Sequence, residues 1–241
     1  MNNTLITGGC SFTDEYIYSG YGITPWPVQV SSFLNRQLIN VGKCGAGNSY
    51  IENAVCDAII RYKDTNPLIM VLWSDPLRVN ANDCFSILKT DKMWQETKEI
   101  SADPTDYPSL CVINSLRSIW RTRNLAKQYN VKYIDLLGLW NMPKYGHKSK
   151  SWRFPQFDKL PQDERRYRYD KINEKTLLNI KNNWYFKELG FTKQEIVYGQ
   201  IMGYEEIDPD DGHPNQKGHE FITDKFLDKL HDEQYKEFVY D

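Results

Sequence analysis

Short apolar runs separated by longer stretches of helical spacing dominate the first half of the chain. Thr4 to Thr7 is a β-prone run ended by Gly8-Gly9, and Thr24 to Leu34 reads as a helix with Pro25 and Pro27 near its start. Leu38 to Val41 predicts a second strand. A glycine-bearing loop, Gly42 to Gly47, follows it and leads into a helix from about Ser49 to Tyr62. Leu68 to Leu72 is apolar at consecutive positions, as expected of a parallel strand covered on both faces, and is placed at the middle of the sheet. Leu110, Ile113, Leu116 and Trp120 restore a helical period within Pro108 to Tyr129, and Val131 to Leu136 supplies a fourth strand. Lys171 to Leu189 is read as helical, and a last helix runs from His213 or Gln216 to Leu230.

This alternation predicts an α/β architecture with a parallel sheet covered by helices on both sides. The length of 241 residues suits one domain over 1–241, with insertions at about 75–106 and 138–170 where the period dissolves. The second insertion is rich in Trp, Pro and charge and reads as a surface lid. In such a sheet reactive groups gather at the carboxyl ends of the strands, so the loops after Thr7, Val41 and Trp73 are the places to search.

Composition narrows the function. Thirty basic and 32 acidic side chains leave a formal net charge of -2, so no basic field is available for nucleic acid or an acidic membrane. The apolar run Leu68 to Trp73 is far shorter than the roughly 20 residues of a membrane-spanning helix. No basic and apolar leader opens the chain, which sets the expectation of a cytoplasmic protein. The five cysteines, at 10, 44, 56, 84 and 111, show neither zinc spacing nor an even disulfide set and are read as thiols.

The loop Gly8-Gly9-Cys10-Ser11-Phe12-Thr13 puts a serine just past a strand, where backbone N–H groups can meet an anion. A serine hydroxyl becomes nucleophilic when an imidazole takes its proton, and a carboxylate usually orients that imidazole. Of four histidines, His213 stands out because Asp210 lies three residues before it in Asp208-Pro209-Asp210-Asp211-Gly212-His213-Pro214-Asn215. Other motifs test negative. Gly42 to Gly47 has the dinucleotide fingerprint's spacing reversed, Thr13 replaces the second glycine of the α/β-hydrolase elbow, and no Walker lysine is present. Read as an EF-hand, the Asp208 loop puts Gly212 at the fifth position and His219 at the twelfth, so it fails as a calcium loop, and no metal or cofactor is expected. Cys10 is expected to pack inward, and His219 to make a local hydrogen bond within a helix. Arg165, Arg166 and Arg168 read as a solvated charge run. Trp140, Trp152, Phe154, Phe157, Tyr167 and Tyr169 could stack on sugar rings or simply pack a lid.

Three blocks in this order resemble the SGNH or GDSL-type hydrolases, most closely a divergent branch whose first block reads G-C-S-F-T. Gly9-Cys10-Ser11-Phe12-Thr13 matches that block, with Cys10 where Asp is more usual. Asn40-Val41-Gly42-Lys43-Cys44-Gly45 is similar to the second block. Asp210 to His213, with Pro214-Asn215 and Gly218-His219, is similar to the D-x-x-H-P-N block and its trailing G-H. The resemblance implies a three-layer α/β/α sandwich with a mainly parallel, flavodoxin-like sheet. It also implies a catalytic triad of Ser11, His213 and Asp210, and an oxyanion hole from the backbone N–H groups of Ser11 and Gly45.

One block departs from the family pattern. Where the family offers G-x-N-D, this chain reads Trp73-Ser74-Asp75-Pro76. A carboxylate at Asp75 cannot donate to the oxyanion and repels it. Asn48 and Ser74 are the candidate replacement donors. The function implied is a serine esterase acting on an acyl ester, O-acetyl groups of a carbohydrate or a small ester, with acyl transfer to a sugar as a variant. The rival is a non-catalytic glycan-binding or virion structural protein of phage or bacterial origin on the same scaffold, which would make it virion-associated. Oligomeric state is left open.

Overall fold

A computed structural model describes residues 3–76, 78, 107–138, 161, 163–164, 167, 174–175, 177–207 and 212–239, with side chains at 107–108 and 233–239 excepted. The insertions expected at about 75–106 and 138–170 lie largely outside these residues, as do the three arginines and all the named lid aromatics except Tyr167, which is exposed.

The elements in chain order are β1 (Thr4–Gly9), α1 (Glu15–Tyr18), α2 (Trp26–Leu34), β2 (Gln37–Asn40), α3 (Asn48–Tyr62), β3 (Leu68–Trp73), α4 (Tyr107–Gln128), β4 (Lys132–Leu137), α5 (Trp184–Leu189), α6 (Lys193–Tyr198) and α7 (Gln216–Val239). The strands form one sheet in the order β2-β1-β3-β4, every pair parallel. Every residue of β1 and β3 is buried, so the middle of the sheet is shared by these two strands. Consecutive burial on both faces is why their sequences lack a two-residue alternation.

Helices cover both faces. α3 packs on β1 and against α4, while α2 packs against α7, and α7 reaches β4. The chain moves from β1 outward to β2, then back past β1 to β3. Right-handed crossovers place α2 and α3 on opposite faces under that reversal. The result is a three-layer α/β/α sandwich. The reversal also leaves a crevice outside the carboxyl ends of β1 and β3, the switch point where ligands bind in sheets of this kind.

Local chemistry explains the element ends. β1 closes on Gly8-Gly9 because a Cβ at Gly8 would strike the Val55 methyl of α3, and one at Gly9 would strike the Thr13 side chain. α2 starts with Pro27 in its first turn and ends at Asn35, whose φ of 49° is left-handed. α6 carries a capping box in which Thr192 and Glu195 satisfy each other's backbone N–H.

Two sequence expectations are corrected here. The helix expected over Lys171 to Leu189 is broken at 181–183, because the Asn183 side chain accepts from the Tyr185 N–H and starts a new helix. The last helix extends past Leu230 to Val239. α1 and α6 are too short for a periodic signal.

A buried ion cluster ties β4 to its surroundings. Asp135 accepts from Arg123 at 2.7 and 3.1 Å, from the Trp73 indole at 3.1 Å and from the Tyr133 hydroxyl at 3.0 Å, while Lys229 of α7 donates to its backbone carbonyl. Burial alone would raise the Asp135 pKa, but Arg123, Lys229 and the Trp73 hydrogen bond outweigh it and hold the carboxyl below its ordinary value. Trp73 therefore belongs to the core.

Candidate active site

The turn after β1 is built from the residues around Ser11. The Cys10 carbonyl accepts from both Thr13 and Asp14 N–H groups, closing one helical turn that leaves the Ser11 N–H without an acceptor among the described residues. Cys10 packs inward at 1% exposure. Ser11 is buried at 2% exposure, and its hydroxyl has one hydrogen-bond neighbour among the described residues, Cys10 Sγ at 4.0 Å.

The turn after β2 lies alongside. Gly45 is at φ 75° in a turn closed by the Ala46 N–H donating to the Lys43 carbonyl, a conformation that favours glycine at that position. The Gly45 N–H likewise has no acceptor among the described residues. Asp14 draws the two turns together, accepting from the Cys44 N–H at 2.8 Å and from Tyr16 at 3.1 Å. Asn40 adds a second link: its amide donates to the Thr13 carbonyl at 2.7 Å and to Glu15 at 2.9 Å, and its oxygen accepts from Thr7 and the Gly42 N–H. Sequence reasoning quoted Asn40 and Thr13 only within their blocks and missed the linking roles of all three, Asp14 included. Polar residues at or shortly after strand ends were the available signal.

The turn after β3 is held by Asn48, the first residue of α3. Its Oδ1 accepts from the Ser74 N–H at 2.8 Å, and its amide donates to the Ser74 carbonyl at 3.0 Å and the Ser115 hydroxyl at 2.9 Å. Both amide hydrogens are thereby engaged, so Asn48 acts as a clamp between loops and has no donor left for a ligand. Ser74 is fully buried and its hydroxyl has no hydrogen-bond partner. Asp75 is buried at 1% exposure.

His213 comes to this edge from the far end of the chain. Its ring lies 5.8 Å, centroid to centroid, from Phe12, the residue after Ser11, and 6.5 Å from Tyr18. The Ile207 N–H donates to the His213 carbonyl at 2.7 Å, and the Tyr204 hydroxyl donates to the Gly212 carbonyl at 2.8 Å. Asn215 then caps α7 by accepting from the Gly218 N–H at 2.9 Å. The His213 ring thus meets the residue next to Ser11, and among the described residues no hydrogen bond joins Ser11 to His213. Asp210 lies outside the described residues.

His219 corrects its expectation of a local bond. It is fully buried, its Nδ1 accepts from the Trp26 N–H across 193 residues at 3.3 Å, and its ring stands edge to face on Tyr18 at 4.3 Å. Accepting at Nδ1 places the ring hydrogen on Nε2, which has no hydrogen-bond partner. Burial first, and the neighbouring His213 second, lower its pKa from 6.5 to about 3.

Among the described residues, no cluster of three His, Cys, Asp or Glu side chains could hold a metal ion, and no helix is long and apolar enough to cross a membrane. The described cysteines, Cys10, Cys44, Cys56 and Cys111, are free thiols. A cleft of about 740 Å³ beside β4, lined by Arg123, Lys127, Asp135, Glu195 and Lys229 among others, includes none of the candidate residues.

No protein-family model matches the chain, and no curated protein matches it. Among solved structures the chain is similar to TesA, at 12% identity over 94% of this chain and 97% of that one, with a TM-score of 0.45. It is similar to a GDSL-like lipase from Bacteroides thetaiotaomicron, at 11% identity over 97% and 89% with a TM-score of 0.40. It is similar also to Axe2, an acetylxylan esterase from Geobacillus stearothermophilus, at 15% identity over 94% and 93% with a TM-score of 0.38.

Proposed function

We propose that this protein is a serine ester hydrolase of the SGNH type. Ser11 Oγ attacks the ester carbonyl carbon while His213 takes the hydroxyl proton, and Asp210 orients His213. The carbonyl oxygen becomes an oxyanion facing the Ser11 and Gly45 N–H groups. Collapse of the tetrahedral intermediate expels the alcohol, which leaves with the proton from His213. Water then attacks the acyl-serine by the same route. The substrate class is an O-acylated carbohydrate or a small ester, O-acetyl groups being the favoured case.

The observation that carries this reading is the meeting of the Phe12 and His213 rings beside two unoccupied backbone donors. A donor without an acceptor beside a buried serine is the arrangement an oxyanion needs. Catalytic hydrogen bonds are often long or poorly aligned before substrate binds, so the absence of a Ser11–His213 bond does not count against the pair. Labelling with a fluorophosphonate tests the reading: covalent capture at Ser11, together with acetyl-ester hydrolysis that Ser11→Ala abolishes, is expected. Equal rates for the wild type and Ser11→Ala would end it.

The buried Asp75 favours a second reading, a glycan-binding module without turnover, because a carboxylate at this edge opposes a developing negative charge. Retention of an acetylated glycan by unlabelled, inactive protein is the result that reading expects.

A further inference from the structure

The site described above holds two backbone donors and a carboxylate where a third donor is required. Asn48 is fully engaged, so a third donor has to come from another cation or amide at this edge, and Arg78 is such a group. Its N–H donates to the Asp75 carbonyl at 3.0 Å, so the chain turns back immediately after β3 and returns Arg78 to the carboxyl edge. Its Nε and Nη1 are shielded from solvent and make no hydrogen bond among the described residues. A shielded guanidinium without acceptors is costly unless an anion completes it, since each unmet donor to a charged group forfeits a charge-assisted hydrogen bond.

Position indicates which anion. The parallel register ends with Gly9 opposite Leu72, so Ser11 and Ser74 each follow within two residues of neighbouring strand ends, at the crevice between β1 and β3. β1 lies between β2 and β3, and the charge of Arg78, from the β3 side, is felt at the Cys44 thiol on the β2 side. Cys44 immediately precedes Gly45, so the charge of Arg78 is felt beside the turn that carries the Gly45 N–H. The Cys44 thiol is raised by partial burial first and by Asp14 next, and Arg78 acts against both.

We propose that the Arg78 guanidinium is the third oxyanion donor of this site, replacing the side-chain amide that Asp75 cannot supply. The inference rests on the serine-hydrolase reading. A guanidinium donates as the amide would, and its positive charge also offsets the Asp75 carboxylate. The energetic demand falls on the transition state: a neutral ester carbonyl needs the cation far less than the oxyanion does, so the effect belongs in kcat.

The experiment uses the full chain and two readouts, hydrolysis of p-nitrophenyl acetate and the second-order rate of Ser11 labelling by a fluorophosphonate. Arg78→Gln is expected to lower kcat and the labelling rate by roughly 10²- to 10³-fold with KM little changed. Arg78→Lys keeps the charge and is expected to fall between. Low millimolar guanidinium, below any denaturing concentration, is expected to restore part of the Arg78→Gln activity, which a merely structural role would not allow. Thermal melting verifies that each variant folds, and Arg78→Lys carries the test if Arg78→Gln does not. Wild-type rates in Arg78→Gln, with wild-type Ser11 labelled and Ser11→Ala inactive, would overturn the Arg78 assignment and leave the hydrolase standing. A loss confined to KM would also overturn it, by making Arg78 a ground-state anion binder. An unlabelled wild-type Ser11 would remove the hydrolase reading, and the Arg78 assignment with it.

Discussion

Lowering the pH should destabilise this protein through one imidazole, and the size of the effect follows from the surroundings of His219. In the folded chain that ring is fully buried and titrates at about 3, whereas an unfolded histidine titrates near 6.5. Between those values the unfolded chain binds a proton that the native chain refuses. Stability contributed by the neutral ring is thus fully present above about pH 6.5 and is lost as pH falls toward 3. One pH unit well inside that window corresponds to about 1.4 kcal/mol, so a fall from pH 7.5 to pH 5 removes about 2 kcal/mol. Against a typical total of about 5–15 kcal/mol this is readily measured. The comparison is urea unfolding at pH 7.5 and pH 5.0 for the wild type and His219→Gln. Glutamine does not titrate, and its side-chain oxygen can still accept from the Trp26 N–H. Carboxylates remote from His219 contribute equally to both proteins and cancel in the difference. The glutamine variant should be less stable at pH 7.5 yet lose about 2 kcal/mol less than the wild type on acidification. Parallel losses in the two proteins would refute the burial argument.

Two further substitutions probe the supports of the site. Asp135→Asn removes the charge that Arg123 and Lys229 share in the interior, and leaving those cations uncompensated should cost on the order of 3–5 kcal/mol in denaturant unfolding. A change under 1 kcal/mol would mean that the cluster is solvated. Asn48→Ala deletes three hydrogen bonds and leaves the Ser74 N–H without its acceptor, which should cost about 2–3 kcal/mol and lower the proposed esterase activity by loosening the turns after β2 and β3. Unchanged melting would show that the clamp is dispensable.

The sheet was readable in the chain because each strand is defined by its own few residues. Leu68 to Trp73 is apolar at every position, and its burial on both faces is all that such a run can satisfy. Gly8-Gly9 marked a strand end before the Val55 and Thr13 side chains that require it were known. Ser11 and His213 stood out as candidates after a strand and before a helix, and the three-block resemblance added Gly45.

What lay beyond the sequence is whatever depends on partners far apart along it. His219 sits in an ordinary polar helix start, and only the docking of α7 on α2 buries it against Trp26 and Tyr18. Asn48 looked available as a donor until the Ser74 backbone and Ser115 claimed its amide, across 26 and 67 residues. Period and turn chemistry are local and survive in the order of residues. Desolvation, the occupancy of a donor and the reach of a charge depend on what the fold brings alongside, and so the same side chain acquires its pKa and its role only in the packed molecule.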